Sequence, residues 1–195
     1  MSGETLTVRS RADLRRWLAA NAGRGEGLWL ATYKARHPDH LPWIEAVEEL
    51  LCWGWIDGVT RKLDAERSMH RVAPRSPGSA WSAVNKRLVE RARASGAMTE
   101  AGEAAVRVAA ENGMWAFLDD VEAGVVPGDL AAALGPHRAA WDGWPRSVTR
   151  GTLEWIATAK TAPTRARRIA DVADAAARGL RPSPFRRGTG AGGAG

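Results

Sequence analysis

The segment CWGWIDG, residues 52–58, combines two indole rings and a carboxylate within a few positions. A helical pattern precedes it and ends near Trp53, so Trp53 is expected in the core. An extended segment follows, and Trp55 and Asp57 are expected to face a ligand. Gly58 comes directly after the carboxylate, and glycine permits close approach of a backbone or a ligand. The segment therefore predicts one wall of a binding site.

A carboxylate at position 57 needs a cationic partner, and the candidates are Lys34, Arg71 and Arg75. Asp57 is either one half of a structural ion pair or a general acid or base. An aspartate with no assigned nucleophile or second base more often has the structural role. Asp57 is thus the one catalytic candidate, and whether the chain is an enzyme stays open.

Aromatic side chains indicate the kind of ligand. Trp29, Trp55 and Trp81 come from three elements that should converge on a sheet, and tryptophans beside arginines suit a flat or cationic organic molecule. Asn85 shares a helical flank with Trp81, although it equally suits a helix cap together with Ser82. The complete predicted ligand-binding set is Trp29, Lys34, Trp55, Asp57, Arg71, Arg75, Trp81 and Asn85.

The composition bounds the class of protein. The chain has 195 residues, of which 45% are hydrophobic and 26% charged, which is a globular composition. The single cysteine, Cys52, excludes an internal disulfide, and no cluster has zinc-ligand spacing, so no metal and no cofactor is predicted. No run approaches the roughly 18 apolar residues of a membrane span, and the N-terminus lacks the apolar segment of a signal peptide. We therefore expect a cytoplasmic protein without a membrane span.

The formal net charge is +6, and basic residues concentrate in residues 58–93 and 146–195. Such a charge suits an anionic partner, but no nucleic-acid motif accompanies it. Nucleic acid is therefore an alternative partner, less favoured than a small-molecule or peptide ligand. The composition does not indicate an oligomeric state.

Apolar periodicity in the first part of the chain predicts a helix, a strand, a second helix and a β-hairpin. These elements cover residues 10–23, 27–35, 42–53 and 55–75. Three glutamates of the second helix are expected on its outer face, namely Glu45, Glu48 and Glu49.

The remaining segments are mostly helical, which indicates an α+β fold. We expect a small antiparallel sheet of about three strands packed with helices, followed by an all-helical C-terminal region. The predicted domains are an α+β domain over residues 1–113, which carries the candidate site, and a helical region over residues 114–184. Residues 185–195 have low complexity and are predicted to be a disordered tail.

Five stretches together resemble one family, the bacterial YdeI/OmpD-associated or bacteriocin-protection proteins. These stretches are EAVEELLCWGWIDG (45–58), PRSPGSAWSAVNK (74–86), GAMTEAG (96–102), PGDLAAAL (127–134) and WIATAKTAPTRARRI (155–169). The resemblance implies an α+β N-terminal part, a helical C-terminal region and an association with tolerance of bacteriocins or cationic peptides. It implies no agreed reaction.

The predicted function is that of a cytoplasmic protection or stress-tolerance protein. Such a protein would hold an antibacterial compound or a related small molecule in a tryptophan-lined cleft between sheet and helices. One alternative is a hydrolase-type enzyme that modifies such a compound with Asp57 as acid or base. A second alternative is a nucleic-acid-binding protein.

Overall fold

A computed structural model describes residues 3–185 of the chain. The chain divides between Phe117 and Leu118 into two compact units. The first unit holds a sheet with helices and the second is helical, so the predicted α+β class with a helical C-terminal region is confirmed. The division predicted after residue 113 stays a prediction. The predicted tail beyond Phe185 lies outside the described residues.

Four strands form one sheet: β1 (Thr5–Thr7), β2 (Leu28–Tyr33), β3 (Trp55–Lys62) and β4 (Arg67–Pro74). Their order across the sheet is β1-β2-β4-β3, and only β1 and β2 run parallel among these pairs. Strands β2, β3 and β4 form the predicted antiparallel sheet. Strand β1 was not predicted, because three residues are too few to show the alternation on which strand prediction depends.

Helices of the first unit pack on one face of this sheet and on each other. They are α1 (Arg11–Ala20), α2 (Trp43–Cys52), α3 (Ala83–Ala94) and α4 (Glu100–Glu111). One core cluster joins α1 and α2 to the sheet and includes Leu14, Leu18, Leu28, Leu30, Leu50, Trp55 and Val72. A second cluster joins α2 to α3 and α4 and includes Val47, Leu51, Trp81, Leu88, Val89, Val106 and Ala109.

Local sequence signals fix where three of these helices begin. The hydroxyl groups of Ser10, Ser82 and Thr99 each accept a hydrogen bond from the backbone N–H three residues further on. Such a cap satisfies one of the N–H groups that a helix N-terminus leaves without a partner. Short polar residues at these positions therefore set the starts of α1, α3 and α4.

Two glycines let the chain turn and the helices approach. Gly54 has a φ of 71°, the left-handed conformation that glycine adopts without strain after a helix, and this separates α2 from β3. Gly102 lies on α4 against the end of α2, where an added Cβ would come within 2.4 Å of the Cys52 carbonyl oxygen. The close packing of α4 on α2 therefore requires glycine at position 102.

Glu48 and Glu49 of α2 are buried, so their predicted place on the outer face was wrong. Glu48 is 2% exposed and Glu49 is 0% exposed. Glu49 accepts hydrogen bonds from Arg11 and Arg15, both at 2.8 Å. Glu48 pairs with Arg11 at 3.0 Å and also with Arg91. Buried carboxylates need such partners. The partners belong to α1 and α3, so charged pairs join α2 to both helices.

Helices of the second unit are short, apart from the last two. They are α5 (Asp119–Ala123), α6 (Gly128–Leu134), α7 (Arg138–Asp142), α8 (Arg146–Ala157) and α9 (Ala162–Ala177). Single 3₁₀ turns lie at Gly135–His137 and Ser183–Phe185. Among the described residues, no helix combines the length and the apolar content that crossing a membrane requires.

The buried pairs predict a large effect of Glu49→Gln on stability. The substitution keeps the shape but removes the charge that the Arg11 and Arg15 guanidinium groups face, and breaking a buried pair costs about 3–5 kcal/mol. Glu90→Gln is the matched control, because Glu90 pairs with Arg93 at 2.8 Å on the surface, where a pair contributes less than about 1 kcal/mol. Urea unfolding measures both, and equal losses would contradict the assignment.

Candidate functional site

The predicted binding residues do not form a single cleft. The structure places them on the sheet face opposite the helices, at the hairpin turn, in the core and beside α3. Only two pairs lie together: Trp29 with Arg71, and Trp81 with Arg75. Each group is therefore described separately.

Trp55 lies in the core, contrary to its predicted role, and Trp53 packs against that core as a partly buried residue. Trp55 is 1% exposed, belongs to the core cluster and packs edge-on against Trp17 at 5.7 Å between ring centroids. Trp53 is only partly buried, and its indole N–H donates to Glu49 at 3.1 Å. Trp81 is also 1% exposed. The prediction that Trp55 presents its ring to a ligand was therefore wrong, and a cleft lined by Trp29, Trp55 and Trp81 is not present.

Trp29 lies on the sheet face opposite the helices. It stands directly across from Arg71 in the β2–β4 register, and residues paired in this way project from the same face. Arg61 of β3 lies over the Trp29 ring, with its guanidinium carbon 4.9 Å from the ring centroid. The cavity around them has a volume of about 660 Å³ and is lined by Gly3, Glu4, Arg24, Glu26, Gly27, Trp29, Arg61 and Arg71.

The charges in this cavity are mixed, with an excess of cations. Arg24 pairs with Glu4 at 2.7 Å, which leaves Glu26 as the second carboxylate of the lining. Arg61 and Arg71 form no ion pair with any residue that the structure describes. Two guanidinium groups beside an indole ring therefore face the cavity, and this combination suits an anion that carries an aromatic ring.

Lys34 has a structural role at the hairpin turn. Its ammonium group donates to the backbone carbonyls of Asp64 and Ala65, at 3.0 and 2.6 Å. It also lines a second cavity of about 660 Å³ with the loop after β2. Lys34 thus lies at the hairpin turn, whereas Asp57 lies near the other end of β3, and the two form no ion pair in the described part of the chain.

Asp57 belongs to a small polar group on the helix-facing side of the sheet. One of its carboxylate oxygens accepts a hydrogen bond from the Trp43 indole N–H at 3.4 Å. The Trp43 ring stacks on His70 with 3.4 Å between centroids and 10° between planes. The His70 Nδ1 atom lies 3.0 Å from the Thr60 hydroxyl oxygen. A carboxylate, an imidazole and a hydroxyl are thus gathered around one indole ring.

His70 titrates differently from a fully solvated histidine. Burial lowers the pKa of His70 from 6.5, against a smaller opposing effect of the Asp57 charge. Burial disfavours the charged imidazolium, and the Trp43 ring covers one face of the imidazole. His70 is therefore held toward its neutral form near pH 7, in which one ring nitrogen accepts a hydrogen bond.

Arg75 lies in the segment that leads into α3, and Asn85 lies in the first turn of α3. The Arg75 guanidinium carbon is 3.7 Å from the Trp81 ring centroid, and one of its nitrogens donates to the Ala80 carbonyl at 2.7 Å. The Asn85 side-chain oxygen accepts from the Ser82 hydroxyl at 2.9 Å, and the Asn85 backbone N–H donates to the same hydroxyl oxygen. Asn85 thus has the capping role that was the alternative to ligand binding.

Two family models match this chain. Residues 6–105, just over half of it, match the family described as Domain of unknown function (DUF8412). The chain belongs to this family. Residues 123–179 match the family described as Bacteriocin-protection, YdeI or OmpD-Associated, which confirms the predicted resemblance. No curated protein matches the chain, and no solved structure matches it.

The DUF8412 match covers all of the predicted site residues. Strands β2, β3 and β4 and helices α1, α2 and α3 lie inside it, and so do the motifs at residues 45–58 and 74–86. The YdeI or OmpD-associated match lies within the second unit. The chain therefore joins a DUF8412 domain, which carries the predicted binding residues, to a helical region that matches the bacteriocin-protection family model.

The difference in burial between Trp55 and Trp53 predicts which of the two alanine variants loses more stability. Trp55→Ala should cost about 3–5 kcal/mol, because it removes a fully buried ring from the core. Trp53→Ala should cost less, since that ring is only partly buried, although it loses its packing against the core and its hydrogen bond to Glu49. Chemical unfolding of the two variants measures the order. A larger loss for Trp53→Ala would show that the core assignment is incorrect.

The lowered pKa of His70 predicts that the stability of this domain depends on pH. Because the pKa of His70 is lowered on folding, the unfolded state binds more protons as the pH falls through about 6.5, and stability falls with it. Unfolding measured between about pH 7.5 and about pH 5 should therefore show a steeper loss for the wild type than for His70→Gln. Equal slopes would mean that His70 is not held neutral by the fold.

Proposed function

We propose that this protein binds a ring-bearing organic anion, such as an antibacterial compound, in the cavity formed by Trp29, Arg61 and Arg71. The observation that carries the proposal is the Arg61 guanidinium over the Trp29 ring, beside a second unpaired arginine, in a cavity of about 660 Å³. Cavities of about 300–1,000 Å³ suit drug-sized molecules. This cavity takes the place of the three-tryptophan cleft predicted from the sequence.

The residue types of the cavity support an anionic ligand. An aromatic ring of the ligand stacks on the Trp29 indole, and its carboxylate or similar group accepts hydrogen bonds from Arg61 and Arg71. A cationic peptide fits less well, because three arginines and two glutamates line the cavity. The proposal therefore favours a small molecule over a peptide as the partner.

The family match supports a protective role for such binding. The second unit matches the bacteriocin-protection family, and a protein that retains an antibacterial compound lowers the concentration of free compound. A protein that protects the cell by holding the compound needs to catalyse no reaction. The proposed function is therefore binding. It places the protein in the cytoplasm, where such compounds reach their intracellular targets.

Substitutions in the cavity test this proposal. Against a panel of antibacterial compounds that carry an aromatic ring and a carboxylate, Trp29→Ala and Arg61→Gln should each lower affinity by about tenfold or more. Calorimetry measures the affinity, and survival of cells that express each variant measures protection. Arg61→Gln should leave the unfolding midpoint nearly unchanged, because Arg61 is exposed, and Trp29→Ala should lower it less than Trp55→Ala does, because Trp29 is only half-buried.

Arg168→Gln is the matched control for Arg61→Gln. Arg168 lies over Trp155 of the second unit at 5.2 Å, so the control removes the same charge from a similar contact outside the cavity. Its affinity should equal that of the wild type. If all variants bind equally, the cavity is not the site. If affinity instead falls steeply with salt for oligonucleotides and is absent for the compounds, the nucleic-acid alternative is favoured.

A second candidate function is hydrolysis, and the contact between Thr60 and His70 favours it. A hydroxyl 3.0 Å from an imidazole, with the Asp57 charge close to that imidazole, has the residue types of a nucleophile, a base and an orienting carboxylate. Turnover of an activated ester such as p-nitrophenyl acetate tests it. Hydrolysis that Thr60→Val and Asp57→Asn both abolish would favour the enzyme over the binding protein.

A further inference from the structure

The charged and aromatic groups that line the Trp29 cavity can be reached by a ligand. Arg61 is exposed, and Trp29 and Arg71 are partly exposed. Glu26 of the same lining is also exposed. A bound molecule therefore has access to two guanidinium groups, an indole ring and a carboxylate within one cavity.

The other two charged residues of the lining are paired with each other. Arg24 donates to the Glu4 carboxylate at 2.7 Å, and its Nε atom donates to the Glu26 backbone carbonyl at 2.9 Å. The charges of Arg24 and Glu4 therefore largely cancel, and the contact with Glu26 uses only the backbone of that residue. Arg61, Arg71 and Glu26 are the charged side chains that remain for a ligand.

Two arginines beside one ring suit a phosphate better than a carboxylate. The Arg61 guanidinium carbon is 4.9 Å from the Trp29 ring centroid, and Arg71 stands directly across from Trp29 in the β2–β4 register. A phosphate monoester carries a charge of about −1.5 to −2 near neutral pH and has three acceptor oxygens. It can therefore accept from both guanidinium groups at once, whereas a carboxylate offers one charge and two oxygens.

Glu26 selects among the aromatic rings that such a phosphate can carry. An ionised carboxylate only accepts hydrogen bonds, and it does so through two oxygens. Its best planar partner presents two adjacent N–H donors. Proteins read a nucleobase by hydrogen bonds to its Watson–Crick edge, and guanine is the common base whose edge carries two adjacent N–H donors. Bases also stack well on aromatic side chains such as Trp29.

We infer that the ring-bearing anion of this cavity is a guanine nucleoside monophosphate. The base stacks on Trp29 and donates to Glu26, and the phosphate accepts from Arg61 and Arg71. The cavity volume of about 660 Å³ lies within the range of about 300–1,000 Å³ that holds molecules of this size. The inference rests on the proposed function, because it names the ligand class of the same cavity.

Guanosine monophosphate is the probe for this inference, titrated into the full chain by calorimetry. Guanosine lacks the phosphate and should bind at least about tenfold more weakly. Phenyl phosphate lacks the guanine edge and should also bind at least about tenfold more weakly, which separates a nucleotide from other aromatic phosphates. Inosine monophosphate lacks only the exocyclic amino group and should bind about threefold more weakly or worse.

Two variants assign the groups. Arg71→Gln should lower the affinity for guanosine monophosphate by about tenfold and leave that for guanosine nearly unchanged, because it removes a partner of the phosphate. Glu26→Gln should bind guanosine and inosine monophosphates about equally, because it removes the group that only accepts. Glu111→Gln is the matched control, since Glu111 is an exposed carboxylate of α4 outside the cavity, and it should bind as the wild type does.

The inference is overturned if guanosine or phenyl phosphate binds as tightly as guanosine monophosphate, or if Glu26→Gln keeps the preference over inosine monophosphate. A guanine tetranucleotide that binds more tightly, with a steep salt dependence, would also overturn it in favour of a nucleic acid. If aromatic carboxylates bind through Trp29 and the nucleotide does not, only this inference fails. If neither kind of ligand binds, the proposed function fails with it.

Discussion

The first unit depends on two adjacent carboxylates buried in α2. Glu48 and Glu49 have almost no contact with solvent, and three arginines from two other helices, together with the Trp53 indole N–H, supply their hydrogen bonds. Burying a carboxylate without partners is far more costly than burying it in pairs. Helices α1 and α3 must therefore take positions that bring their arginines to α2, so these pairs fix the arrangement of the helices as well as their packing.

With the helices fixed on one side, the other side of the sheet carries the cavity of the proposed function. Leu28 and Val72 face each other across β2 and β4 within the core, whereas Trp29 and Arg71, one residue along, face each other on the opposite side. Because successive side chains of a strand point to opposite faces, packing of one face in the core also fixes the positions of the side chains on the other face. A site built on strands in this way keeps its geometry better than a site built on a loop.

Features of the fold that depend on neighbouring residues were largely predicted from the sequence. Features that depend on contacts between distant residues were not. Ser10 as a cap and Gly54 as a left-handed residue act over three or four positions, and the helices that they bound were predicted. The burial of Glu49 depends on Arg15, which is 34 positions away. Arg61 was missed as a site residue because the β3–β4 register shifts between Asp57 and Thr60, so alternation from Asp57 does not indicate which face Arg61 takes.

The buried end of α2 has a consequence for the single cysteine of the chain. Cys52 is buried, and Thr99 donates two hydrogen bonds to its backbone carbonyl oxygen. Burial raises the pKa of the Cys52 thiol to about 11, and the thiolate is the form that reacts. The native thiol therefore reacts far more slowly at neutral pH than an exposed thiol. Its rate of alkylation reports local opening around the end of α2, in a chain that contains no competing thiol.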